Sequence, residues 1–399
     1  MPAFPFPWQR LWERFATRRN LLIIFSLLAI ISATQSLLQG PQTYTTGGPE
    51  YNRYNNYVIF ATAPKHLLNG QNLYTSYSDE YHDIYKYSPT FALLMWPLYI
   101  LPDSLGLHIW NLLNALVWVV AVFALPGINN KQKTLILMIA LLEMLGNLQN
   151  EQSNGLMAGL MILSVAMLER RQLLAAALAV ALATFIKPFA IGTGLLFLLY
   201  PQRWRAILYL SLAMLLLALL PLIAISTDEY LWQLQNWSAL LRYDHGASYG
   251  FSVLGLFDKW FHWVPDKIAT VIVGAGLFSL PLWRNNLWKR SDFRLLYLAS
   301  LLVWVVIFNH KAESPTFIIA MTGAGLWFVI SPANKWRLSM IFAALLFVSL
   351  SHSDIFPRLL RDSIIVPYNL KALPMIIVWL WLSYDLLMGK WLAERPVDQ

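Results

Sequence analysis

The chain has 399 residues, of which 58% are hydrophobic, 14% aromatic and only 13% charged, with a formal net charge of +8. A soluble globular chain is roughly a quarter charged, so this balance excludes a disordered protein, a nucleic-acid-binding arm and an ordinary cytosolic enzyme. The absence of cysteine excludes a disulfide framework, thiolate metal sites and thiol catalysis.

The first apolar block, Leu21–Gln39, is close to the roughly 20 residues needed to cross a bilayer. Arg10, Arg14, Arg18 and Arg19 precede it as in a signal peptide, but its length and the many later blocks favour an uncleaved first helix. Further spans are predicted near 107–126, 134–148, 153–168, 172–187, 189–200, 206–226, 267–283, 295–309, 315–331, 336–351 and 374–389. The expectation is an all-α polytopic membrane protein of about 12 transmembrane helices, a single integral membrane domain over residues 1–399. The 189–200 block is too short to cross alone and reads as a half-helix or as an extension of its neighbour. Tyr87–Leu101, which contains Pro89 and Pro97, reads as a re-entrant or surface segment, and Tyr57–Leu68 as a helix lying on the membrane surface.

If 87–101 does not cross, 18 of the 29 Lys and Arg residues fall on the face that holds the N-terminus (1–20), the short turns and the C-terminus. That bias predicts both termini in the cytoplasm of a multi-pass plasma-membrane protein, with a bacterial inner membrane as the expected setting. The positive charge then reports orientation rather than an anionic partner, and no nucleic-acid partner is expected. The opposite face receives the long loops 40–106, 227–266 and 352–373 and the turns Gln149–Gln152 and His310–Ser314. Its many tyrosines fit an interfacial aromatic belt and a sugar-stacking platform equally well.

Polar groups at a bilayer rim are costly and therefore informative. Lys187 precedes Pro188 between two apolar stretches. Proline breaks the helix there, so the cation reads as a phosphate holder, with a lysine snorkelling to the headgroups as the alternative. Gly146–Asn154 is a dense run of amides, hydroxyls and one carboxylate, a surface for hydroxyl-rich ligands or a solvated turn capped by Ser153. Glu143 is an intramembrane acid with a partner or a neutral acid on a backbone carbonyl. Asn309–Thr316, Asp79–Pro89 and Arg242–Ser252 bring further acids, imidazoles and cations to the outer face. His66, His82, His245, His310 and His352 form no recognised ligand spacing, so no metal site is assigned, and no phosphate-binding loop appears.

Gly70-Gln-Asn-Leu-Tyr74, Tyr85-Lys-Tyr-Ser-Pro-Thr-Phe-Ala-Leu93, Pro97, Gln152-Ser-Asn154, Ala183-Thr-Phe-Ile-Lys-Pro188 and Arg203-Trp-Arg205 occur in this order, with Ser248–Ser252 and Glu313–Thr316 as weaker continuations. In these pieces the chain resembles glycosyltransferase family 87, of the C-type superfamily of polytopic, polyprenyl-phosphate-sugar-dependent transferases. The resemblance implies C-type architecture and inverting transfer of a mannose-like hexose from a polyprenyl-phosphate donor to a lipid or glycan acceptor on the extracytoplasmic face. Membrane lipids are the remaining partners. No cofactor is indicated; a divalent cation is compatible with the chemistry but nothing points to one.

The family usually carries a catalytic Asp fourteen residues before the Gly of its Gly-x-x-Leu-Tyr motif, and here that position is Asn56. An amide cannot take a proton as a carboxylate does. The replacement bases, in order, are Asp83, Glu313 and Glu151, and the donor-phosphate candidates are Lys187, Lys86, Lys311 and Arg242. Asn55, Tyr85, Gln152, Asn154, His245 and Ser252 are the sugar or acceptor candidates. The rival readings are a transporter or flippase of lipid-linked or anionic solutes, and a catalytically inactive relative that binds lipid-linked sugar.

Overall fold

The computed structural model describes residues 15–246, 249–353, 355–389 and 391–394. It is 74% helical, and among the described residues the only strands are the paired Gln42–Thr43 and Glu50–Tyr51. Each expected apolar block is helical. By length and composition, the described residues contain three helices able to cross a membrane: Arg18–Leu38 (α1), Asp103–Ala124 (α5) and Arg203–Ile223. The others are shorter, including Asn154–Glu169 (α8), Leu173–Ile186 (α9) and Ala372–Met388 (α17). At 1.5 Å per residue, a 14-residue helix spans about 21 Å, less than the roughly 30 Å hydrocarbon layer.

The helix expected at Tyr57–Leu68 is present and is largely covered by protein. Asn55–Leu68 (α2) is helical, and Tyr57, Phe60, His66 and Leu67 are all buried. It packs against Pro89–Leu94 (α3), Trp96–Tyr99 (α4) and α5. Pro89 and Pro97, each at the first turn of its helix, split 87–101 into those two short pieces, because proline lacks an N–H and is best tolerated at the first turn of a helix.

Asn130–Ile139 (α6) and Leu141–Gln149 (α7) meet at Ala140 and lead into α8. α8 crosses α5 closely at Gly159, where an added Cβ would stand 2.8 Å from the Trp118 nitrogen. Small residues permit such approaches, which dispersion then rewards. After α9 the chain continues as a 3₁₀ helix, Pro188–Leu199, so the 189–200 block does extend its neighbour beyond a break. Arg203–Leu219 (α10), Thr227–Gly246 (α11), Val253–Phe261 (α12) and Lys267–Ser279 (α13) follow. Ser291–Ile307 (α14), Phe317–Ile330 (α15), Lys335–Ala344 (α16) and α17 complete the bundle.

Two buried ion pairs tie distant helices beside the basic turns. Glu169 accepts two hydrogen bonds from Arg294, at 2.6 and 2.7 Å, and Asp385 accepts two from Arg337, at 2.7 and 2.8 Å. Arg294 meets Glu169 as a fork, through Nε and Nη2, the geometry that best offsets desolvation, whereas Arg337 reaches both Asp385 oxygens through Nη2 alone.

Candidate active site

α9 is a run of Leu and Ala, strong helix formers, and it stops where Lys187 turns extended (φ −135°, ψ 119°) ahead of Pro188. The break aims the lysine at the start of α8. Its Nζ donates to Asn154 Oδ1 at 2.7 Å and lies 5.9 Å from the centre of the Tyr87 ring. Neighbouring amides supply partners for the first N–H groups of α8, which have none inside the helix. Asn147 Oδ1 accepts from Asn154 and Gly155 (3.1 and 3.3 Å), and Asn114 Oδ1 accepts from Leu156 (2.9 Å). The cradle under the lysine is therefore polar but uncharged.

Two acids reach this cluster electrostatically. The Tyr87 phenol faces Ser153 and lies in the fields of Glu313 and, more weakly, Asp83; the Glu313 charge also acts on Lys187. Glu313 is exposed, and among the described residues its carboxylate makes no hydrogen bond or ion pair. Its turn is fixed from below. Phe251 N–H donates to the Ala312 carbonyl at 2.8 Å. Gly250, at φ +51°, presses so close that a Cβ would stand 2.7 Å from the same oxygen, so only glycine fits. Asn369 Nδ2 holds the Gly250 and Ser252 carbonyls, each at 3.3 Å. Lys311 is half-buried on this turn, its N–H on Asn309 Oδ1 at 2.9 Å.

Other candidates are placed for structure. Asn55 exchanges two hydrogen bonds with the His82 backbone (2.9 and 2.8 Å), bracketing the loop rather than facing a sugar. Tyr85 is buried with its hydroxyl on the Ser88 carbonyl at 2.9 Å. Ser252 is buried and caps α12. Glu80 ties the same loop to α2 through Lys65 at 2.8 Å and His66 at 3.3 Å, a role that composition gave no hint of. Asp83 pairs with Lys86 at 3.0 Å, both partly exposed. Arg242 is exposed on α11, and among the described residues no hydrogen bond or ion pair joins it to the cluster. The His245 side chain lies outside the described residues.

Residues 85–353, about two thirds of the chain, match the family model of glycosyltransferase family 87. The chain belongs to glycosyltransferase family 87. No curated protein matches it. Membership in family 87 makes it a membrane glycosyltransferase, with a sugar donor and an acceptor as its partners.

The family 87 match begins at Tyr85, so Asn56 and Gly70–Tyr74 precede it. Asn56 Nδ2 donates to the Asn150 carbonyl at 2.9 Å, on the turn that carries Glu151. Glu151 itself is turned inward. Its backbone is left-handed (φ 49°), its carbonyl accepts from Trp110 Nε1 at 2.8 Å, and its carboxyl accepts from Ser36 Oγ at 2.7 Å. Only 1% of the residue is exposed, which sets it apart from Glu313 as a substrate base. Gln152 is buried beside it.

Burial raises the Glu151 carboxyl from its ordinary 4.5 to about 8, against the opposing hydrogen bond from Ser36. Between those values the folded state binds more protons than the unfolded one, so stability falls as pH rises through the window and is level above it. Glu151→Gln is expected to remove this loss. The Tm of the variant relative to the parent should climb from about pH 5 to about pH 8 and then stay flat, as thermal melts in detergent would read.

Glu143, whose partner the sequence left open, pairs with Lys371. The ammonium lies 3.2 and 3.4 Å from the two carboxylate oxygens, donates to the Val348 carbonyl at 2.7 Å and sits 5.1 Å from the Phe317 ring centre.

Proposed function

We propose that this family 87 member transfers a hexose of the mannose type from a polyprenyl-phosphate donor to a lipid or glycan acceptor, with inversion, on the extracytoplasmic side of the plasma membrane. The observation that carries the reading is the Lys187 cation, cradled by a neutral amide at a helix break and flanked by the unpaired, exposed Glu313. In the proposed step the acceptor hydroxyl oxygen attacks the anomeric carbon opposite the phosphate. The bond from that carbon to the phosphate oxygen breaks, its electron pair leaves with the lipid phosphate, and the hydroxyl proton passes to Glu313. Lys187 stabilises the departing phosphate. Asn154 positions the lysine, and Tyr87 forms one wall. The step as proposed uses no cofactor.

A second feature supports a prenylated donor. A nearly pure apolar cavity of about 370 Å³ lies among α12, α13, α14 and α17, lined by Phe257, Trp263, Leu277 and Trp379. Its lining includes Phe308, the residue before the Asn309–Glu313 turn, so an isoprenoid chain there would end near the polar cluster. The transporter reading draws on broken helices and buried charge near Glu143 and Lys187; of these, Glu143 is paired with Lys371.

The test supplies labelled polyprenyl-phosphate hexoses to the protein in detergent with extracted lipids and glycans. Transfer with inverted stereochemistry is expected, and Lys187→Gln should weaken donor binding by about tenfold or more. No transfer and no donor binding would overturn the reading. Donor binding without transfer would select the inactive relative, the reading favoured by the amide at Asn56.

A further inference from the structure

We propose that the furrow between the starts of α9 and α10 binds an anionic phospholipid. The furrow, a cavity of about 570 Å³, lies at the end of the bundle that carries the basic turns, away from Lys187 at the other end of α9. Its mouth is lined by Arg171, Arg205 and Gln202, and its floor by Leu174, Leu178 and Tyr209.

The charge at the mouth is uncompensated. Arg171 and Arg205 are both exposed, and among the described residues neither guanidinium makes a hydrogen bond or ion pair. Arg171 is thrown outward by its left-handed backbone (φ 59°), with its N–H on the Leu168 carbonyl at 2.9 Å. The adjacent acid, Glu169, is already held by Arg294 at 2.6 and 2.7 Å and by the Tyr200 hydroxyl at 2.7 Å. Arg170 is likewise occupied, on the Ala124 carbonyl at 3.0 Å. Two guanidinium forks thus line one furrow whose lining contains no acidic side chain, and such forks match a phosphodiester in geometry as well as in sign.

The floor determines which phosphate. Leu174 is 55% exposed and Tyr209 37% exposed, and they continue the furrow down the sides of α9 and α10. A free phosphate would use only the mouth. A phospholipid uses both parts, its headgroup under the arginines and an acyl chain against the apolar floor. A zwitterionic headgroup would bring its own cation against the two arginines, so an anionic lipid is favoured.

Native mass spectrometry of the full chain, released from nanodiscs of equal parts phosphatidylglycerol and phosphatidylcholine, tests this. Retained phosphatidylglycerol is expected to exceed phosphatidylcholine by about tenfold. Arg171→Gln/Arg205→Gln should abolish the preference, and Arg171→Lys/Arg205→Lys should leave an intermediate one. Arg18→Gln/Arg19→Gln, the same loss of charge elsewhere, should leave it intact. Equal retention of the two lipids by the parent protein would overturn the proposal. So would an unchanged preference in the Arg171/Arg205 variants, or displacement of phosphatidylglycerol by inorganic phosphate, which would make the mouth a simple phosphate site.

Discussion

Glu313→Gln is expected to lower turnover by about 10²–10⁴-fold, the usual contribution of a positioned general base, while leaving donor affinity within about twofold. Glutamine keeps the size and polarity of the side chain and removes only its ability to accept a proton. In the proposed mechanism donor binding rests on Lys187 and its Asn154 cradle, whose hydrogen bond does not involve Glu313. Asp83→Asn is the informative comparison. Asp83 is already bonded to Lys86 and to the Ile84 N–H at 3.0 and 2.8 Å, so its loss should cost turnover less than about tenfold. Single-turnover rates and donor titrations on both variants separate the two roles. A Glu313→Gln enzyme that turns over like the parent, beside an inactive Asp83→Asn enzyme, would transfer the base assignment to Asp83.

Lys371→Met is expected to destabilise the fold by about 3–5 kcal/mol, the usual result of stranding one member of a buried ion pair. Lys371 is 0% exposed, and its departure leaves Glu143 without its cation and the Val348 carbonyl without its donor. The carbonyl lies in the π-helical turn Leu345–Ser349, where the regular ladder is interrupted. Restoring neutrality with Glu143→Gln/Lys371→Met should recover a large part of the loss, since replacing both charges removes the uncompensated one. Thermal denaturation in detergent reads both variants. A single variant that melts at the parent temperature would show that the pair contributes nothing to stability.

How much of this was legible in the sequence depended on the range over which each feature is determined. The helix break at Lys187 is local: proline dictates it, and the apolar runs on either side make it conspicuous. The split of 87–101 at Pro89 and Pro97 is local too. The partner of Glu143 was not legible, because Lys371 stands 228 positions away and no pattern in one sequence links them. Glu151 and Glu313 look equivalent as acids in polar turns. A left-handed backbone and Ser36 of α1 turn one inward, whereas Gly250 and Asn369 hold the turn of the other at the surface. Asn55 and Tyr85 are polar residues in or near a motif, and their side chains bond to the loop backbone, a pairing that polarity alone does not reveal. The helix expected at Tyr57–Leu68 is legible from its periodicity, but the protein that covers its apolar residues is not.

The uncharged bed of Lys187 has a consequence for selectivity. Had a carboxylate stood where Asn154 does, the protein would have cancelled its own cation, and an incoming phosphate would have had to compete with a tethered rival at very high local concentration. An amide fixes the direction of the ammonium without cancelling its charge. The lysine is thus aimed but not neutralised, and discrimination between a charged donor and a neutral lipid of similar shape comes down to one hydrogen bond to a group that carries no charge.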